Sequence, residues 1–281
     1  MIPLKDDIPT ATTPVVNITL LVVTSLLFIA QLGDVGDGPS MVERYGMIPA
    51  RVLHPDQPIE VVERVVVPTT IGPMVQEHVR PAAPADVPDW LTLLTCVFLH
   101  GGWMHFLGNM WFLWIFGDNV EDRLGHVGYA AFYLGCGVAA SLTHLATGPS
   151  SVIPTIGASG AIAGVMGAYL LLYPRARILT LVPLFVFIQF INLPAAVFLG
   201  VWFLMQLFQG TGSLGDVASG GVAWWAHIGG FVVGAAVAWF MRERGRLQPQ
   251  VEIIPPRPPP YGRPPPRPPR FRPPRFRPPG F

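Results

Sequence analysis

Charge is scarce in this chain. Asp, Glu, Lys and Arg make up 12% of its 281 residues, about half the share of a soluble domain, which argues against an ordinary soluble enzyme. Cysteine is scarcer still. Cys96 and Cys136 stand alone in no metal-ligand spacing and read as packing residues without a disulfide, so no metal and no cofactor is expected. Lys and Arg are missing altogether from 148–158 and 210–222. The first apolar run is followed by no small-residue cleavage site and is long enough to stay as an anchor. The segment before it is poor in Arg and carries Asp6 and Asp7, unlike an organellar transit peptide. The net charge of +1 includes a basic tail, without which the chain is acidic on balance; the total says little about function, and no nucleic-acid partner is expected.

What the chain has in abundance is apolar surface: 51% hydrophobic residues and a mean hydropathy of +0.47. A bilayer core of about 30 Å takes roughly 20 apolar residues per helix. Six stretches approach that length, at 14–33, 103–118, 127–147, 159–173, 190–209 and 223–241. The segment 178–190 is apolar as well, which leaves the start of the fifth span the least defined boundary. Arg123, Arg175, Arg177, Arg242, Arg244 and Arg246 fall in alternate connections. By the positive-inside rule this puts both termini in the cytoplasm and loop 34–95 outside. The expected fold is an all-α membrane protein, a six-helix transmembrane bundle with a disordered C-terminal tail. It divides into a cytoplasmic N-terminus (1–13), a six-span domain (14–245, including loop 34–95) and a tail (246–281).

Loop 34–95 is too long for a simple connector. Its valine-rich Ile59–Val67 run predicts a strand, and Trp90 and Trp103 flank the second span as interfacial residues do. His54 and His78 read as ordinary loop residues. The tail repeats Arg-Pro-Pro, with seven Arg between 257 and 277. Proline removes amide donors, so no packed core is expected there. Its arginines and Phe271, Phe276 and Phe281 are suited to contact with anionic lipid.

Three groups of residues suggest chemistry. Ser159 opens the fourth span between Gly157-Ala158 and Gly160, and Gly160, Ala163, Gly164 and Gly167 share one helical face. His227 shares a face of the sixth span with Gly230 and Gly234. Small residues let membrane helices approach closely, so stripe packed on stripe would carry His227 toward Ser159. A fourth span of about 15 residues covers only roughly 22 Å, which recesses Ser159 beneath the outer surface and calls for a water-filled cavity. In the second span His105 and Asn109 lie four residues apart on one face. Both can donate hydrogen bonds, as the oxyanion of an acyl-transfer intermediate requires. A histidine inside a membrane span by default marks a functional site.

Taken together, His100-Gly101-Gly102-Trp103-Met104-His105 through Asn109, Gly117 to Gly125 with Glu121 and Arg123, Gly157-Ala158-Ser159-Gly160, and Ala226-His227-Ile228-Gly229-Gly230 with Gly234 resemble the rhomboid family of intramembrane serine proteases. The resemblance covers roughly residues 1–245. It implies a catalytic dyad of Ser159 as nucleophile and His227 as base, with His105, Asn109 and the Ser159 amide stabilising the oxyanion. It also implies structural roles for Glu121 and Arg123, and a lateral gate and cap from the fifth span and loop 210–222. The implied partners are the lipid bilayer and transmembrane protein substrates. A plasma membrane of bacterial inner-membrane type is the simplest location, on the absence of targeting signals alone. Two departures stand out. Ala163 replaces an aromatic that often supports the histidine, and loop 34–95 carries no Trp-Arg pair. The alternative reading is a non-proteolytic relative that binds or escorts transmembrane helices. A transporter would call for further intramembrane charge, and His144, an isolated exception in the third span, reads as interfacial.

Overall fold

The computed structural model describes residues 1–34, 39–69, 72–184, 187–212 and 223–248. Strand β1 (Ile2–Lys5) leads into helix α1 (Val15–Leu32). Short helices α2 (Met41–Tyr45) and α3 (Pro49–Leu53) follow, then strands β2 (Glu60–Thr69) and β3 (Gly72–Pro81) and the one-turn α4 (Thr92–Thr95). Helices α5 (Trp103–Leu124), α6 (His126–Thr147) and α7 (Ser159–Leu172) come next. Strands β4 (Arg177–Leu184) and β5 (Phe187–Pro194) precede α8 (Ala195–Gly212) and α9 (Trp224–Glu243).

Among the described residues, α1, α6, α8 and α9 are long and apolar enough to cross a membrane. A fifth crossing arises if Asp89–Phe98 and Trp103–Leu124, bent by 80°, form one broken span, and α7 is a shorter apolar helix. The chain is thus a mostly helical, multi-pass membrane protein. The all-α expectation holds for most of the chain, which also carries two antiparallel sheets, one of order β1-β4-β5 and one of β2-β3. The apolar run 178–190 lies largely in the β4–β5 hairpin, so the fifth helix begins at Ala195 rather than near 190. Proline explains the boundary: Pro183 lacks an amide donor, and Pro194 disfavours helical geometry at Leu193. The valine run of loop 34–95 pairs as β2 with β3 from Glu60↔Pro81 to Thr69↔Gly72. The tail from 249 onward and most of the expected cap, 213–222, lie outside the described residues.

One end of the bundle collects the charged residues. Helix α5 runs six residues past the expected 118 because its acidic last turns bind the N-terminal segment. Asp118 accepts from the Thr10 hydroxyl, and Asp122 accepts from the Ala11 and Thr12 amides. Buried Glu121 takes the first-turn amides of α1, Val16 N at 2.9 Å and Asn17 N at 2.7 Å, and so performs the task of a helix cap from another helix. Arg123 donates to the Gln248 carbonyl at 2.9 Å and lies over the Tyr173 ring. Asp6 accepts from Tyr169 Oη and Asn119 Nδ2, tying β1 to α7 and α5. Burial raises the Asp6 carboxyl to about 6.

At the opposite end, Gln31 of α1 brackets His100, donating to its carbonyl and accepting from its amide. A bridge between Met47 and Thr155 fastens loop 34–95 to the strand of chain before α7. Within that loop, buried Arg51 donates to the Glu43, Gly46 and Ala83 carbonyls. Arg80 grips the Glu43 carboxylate through two 2.9 Å bonds, which hold the Glu43 pKa below its ordinary value.

Candidate active site

The site depends on how closely two helices can approach. A side-chain carbon added at Gly230 of α9 would lie 2.0 Å from the Gly160 carbonyl of α7, and one at Gly234 would lie 2.0 Å from the Gly164 carbonyl. From the other side, Gly167 faces the Phe231 carbonyl at 2.2 Å. Backbone therefore meets backbone along both glycine stripes, and no alanine fits without separating the helices.

This contact aligns the first turns of α7 and α9. Half-buried Ser159 points its Oγ at Nε2 of buried His227, 2.7 Å away. The loop before Ser159 is held by the Gly157 amide, which donates to the Cys96 carbonyl at 2.9 Å. Gly157 has φ +127°, a conformation that favours glycine. A side-chain carbon there would also come within 2.7 Å of the His105 ring and 3.5 Å of Ser159 Oγ. The His105 edge and the serine hydroxyl thus share the space beside Gly157.

Nitrogen roles follow from the partners. The Gly101 amide donates to His105 Nδ1 at 3.3 Å, so in the neutral ring the proton sits on Nε2, the edge turned toward Gly157. One helical turn further along α5, buried Asn109 has an Nδ2 with no hydrogen-bond partner. An unpaired buried amide donor costs about 1–3 kcal/mol, which is accounted for if a bound group supplies the acceptor. The helix start at Ser159 adds free first-turn amides and the positive end of a dipole.

Sequence reasoning missed Gln206. Its Oε1 on α8 lies 2.8 Å from His227 Nδ1, and the residue is buried. The side-chain amide has its oxygen toward the ring, since its Nε2 donates to the Trp202 carbonyl. Nδ1 therefore carries the imidazole proton, leaving Nε2 as an acceptor for the serine. Trp202 and Trp224 pack against the same ring, at centroid distances of 5.9 and 6.1 Å. The aromatic support absent at Ala163, which is fully buried in the helix contact, comes from α8 and from the first turn of α9 instead. A lone glutamine in the apolar stretch 195–208 was the available signal. His100, quoted above only as part of a motif, is fully buried with neither ring nitrogen paired, and its ring lies 5.2 Å from that of His105. His144 is half-buried on α6. No group of three or more His, Cys, Asp or Glu suited to a metal occurs among the described residues.

Half-buried Ser159 of α7 and buried His227 of α9 thus meet beside His105 and Asn109 of α5, within a bundle of membrane helices. The family model of the Rhomboid domain matches residues 87–244, more than half of the chain, and the protein belongs to the rhomboid family. It is 28% identical over 161 residues to Rhomboid-like protein 11, chloroplastic, of Arabidopsis thaliana, covering 56% of this chain and 54% of that one. It is 29% identical over 169 residues to Rhomboid protein 1, mitochondrial, of Saccharomyces cerevisiae, covering 58% and 45%. Rhomboid protease GluP of Bacillus subtilis is 32% identical over 152 residues, covering 53% of this chain and 26% of its own. The chain spans about half the length of the first two of these curated relatives.

Proposed function

We propose that the protein is an intramembrane serine endopeptidase that cleaves transmembrane helices of other membrane proteins. The observation that carries this reading is the 2.7 Å contact between Ser159 Oγ and His227 Nε2, with the histidine's other nitrogen held by Gln206. In this reading α1, α5, α6, α7, α8 and α9 form six spans of a domain from about 14 to 245, with a Pro/Arg-rich tail after it. The membrane is a plasma membrane of bacterial inner-membrane type, the basic loops and both termini are cytoplasmic, and loop 34–95 is outside. The tail is assigned contact with anionic lipid.

A substrate helix enters beside α8 and unwinds, because helical carbonyls are tied up in hydrogen bonds. Ser159 Oγ attacks the exposed carbonyl carbon while His227 Nε2 takes its proton. Gln206 Oε1 stays bonded to Nδ1–H, so the ring keeps its tautomer and orientation as it becomes cationic. The oxyanion is received by His105 Nε2–H, Asn109 Nδ2–H and the Ser159 amide. His227 protonates the leaving amine. Water, deprotonated by the same nitrogen, then hydrolyses the acyl-enzyme. Helices with Gly, Pro or polar residues near the outer face should be preferred, since they unwind at lower cost.

The test is cleavage of a transmembrane substrate by purified protein in lipid. Wild type is expected to cut, and Ser159→Ala and His227→Ala are expected to be folded and inactive. Equal cleavage by Ser159→Ala would overturn the assignment. Binding of the helix without cleavage by wild type would move the reading to a non-proteolytic helix-binding protein.

A further inference from the structure

The β4–β5 hairpin is unused by the mechanism, and its composition is unusual for a surface hairpin. No charged residue occurs between Arg177 and Asp216. At its base the hairpin is packed: Ile178 and Thr180 of β4 are fully buried. The Ala195 amide donates to the Ala176 carbonyl at 2.8 Å, joining its two legs. Its outer strand is bare. Phe187, Ile188 and Phe190 are 69%, 64% and 63% exposed. Successive strand residues point to opposite faces, so Ile188 and Phe190 open one face and Phe187 the other. Strand β5 is also a sheet edge, with β4 on one side and, in the order β1-β4-β5, no further strand on the other among the described residues.

An edge strand that is apolar on both faces and carries no Lys is an aggregation site in water. It directly adjoins a membrane helix. Helix α8 starts at the residue after β5, and its exposed Val197, Val201 and Leu204 extend the uncovered apolar surface beyond Asn192. We infer that the β4–β5 hairpin lies in the bilayer as an interfacial wing, its phenylalanines against the acyl chains just beneath the headgroups. The backbone limits its depth. Unpaired amides and carbonyls of an open edge are not tolerated in the hydrocarbon core, and Gln189 and Asn192 also need polar neighbours. The wing therefore sits at the headgroup–acyl boundary, where amphipathic elements bury about 5–10 Å deep.

Nitroxide depth measurement tests this without reference to proteolysis. Full-length protein carrying Cys96→Ala and Cys136→Ala is given one cysteine at a time, at Phe187→Cys, Ile188→Cys or Phe190→Cys, labelled, and placed in lipid nanodiscs. Leu204→Cys serves as the acyl-chain reference and free nitroxide as the aqueous one. Collision rates with oxygen and with a water-soluble nickel chelate are then compared. The expected result is a shift toward oxygen at sites on both faces, intermediate between the aqueous and Leu204 references. Nickel access equal to the aqueous reference overturns the inference. Shielding from both reagents overturns it as well, and with spin–spin broadening would show the strand covered by a second copy. Since each site is labelled separately, a variant that misfolds leaves the others to decide.

Discussion

Replacing Gln206 by leucine removes the one acceptor at His227 Nδ1 while keeping side-chain bulk. The 2.8 Å bond is buried, so its loss leaves an unpaired N–H costing about 1–3 kcal/mol. The ring can escape that cost by moving its proton to Nε2 or by turning, and either change removes the acceptor that faces Ser159. At about 1.4 kcal/mol per factor of ten, the dyad should lose roughly 5- to 150-fold in kcat. KM should change little, because Gln206 makes no contact assigned to substrate. The loss is smaller than the roughly 10⁴-fold seen when a triad carboxylate is replaced by an amide that imposes the wrong tautomer, since leucine imposes none. Transmembrane-substrate turnover gives the rate, and nitrogen NMR of labelled histidine reports whether His227 still carries its proton on Nδ1. Wild-type kcat together with an unchanged tautomer in Gln206→Leu would refute the positioning role.

Further expectations rest on other parts of the molecule. Gly234→Leu places bulk 2.0 Å from the Gly164 carbonyl. It should cost about 1–3 kcal/mol of stability by overpacking, read as a lower Tm, and should abolish cleavage by parting α7 from α9. Glu121→Ala strips the acceptor from two α1 amides; a loss of about 1–2 kcal/mol, in the range of a helix cap, should lower Tm with little effect on kcat below the transition. Asp6, raised to about 6 from 3.8, binds its proton more tightly folded than unfolded. Its contribution to stability therefore falls as pH rises from about 4 to about 6. Hydrogen exchange in β1, corrected for intrinsic rates, should be slower at pH 5 than at pH 7.5, and Asp6→Asn should flatten the difference.

Periodicity made much of this readable. Glycines at 160, 164 and 167 and at 230 and 234 carry information at a spacing of three and four, and that spacing alone brought α7 and α9 together. His105 and Asn109 were legible for the same reason, being four apart on one helix. Gln206 was not, because its partner is 21 residues away and no local rule pairs positions across two helices. What could have been read is the cost of an unpaired amide in an apolar helix, which calls for a partner somewhere in the bundle. The β4–β5 hairpin was hidden for a different reason. A short, wholly apolar run has no alternation to separate strand from buried helix, and only Pro183 and Pro194 signalled the difference. The role of Glu121 as a remote cap depends on tertiary contact between α5 and the start of α1, which residue spacing does not encode.

The most direct test of the central claim is covalent labelling of the purified protein in lipid with a fluorophosphonate, with the modified residue located by mass spectrometry. One adduct is expected, on Ser159, lost in Ser159→Ala and strongly slowed in His227→Ala. An adduct on another residue, or folded wild-type protein that takes no label, would contradict that claim.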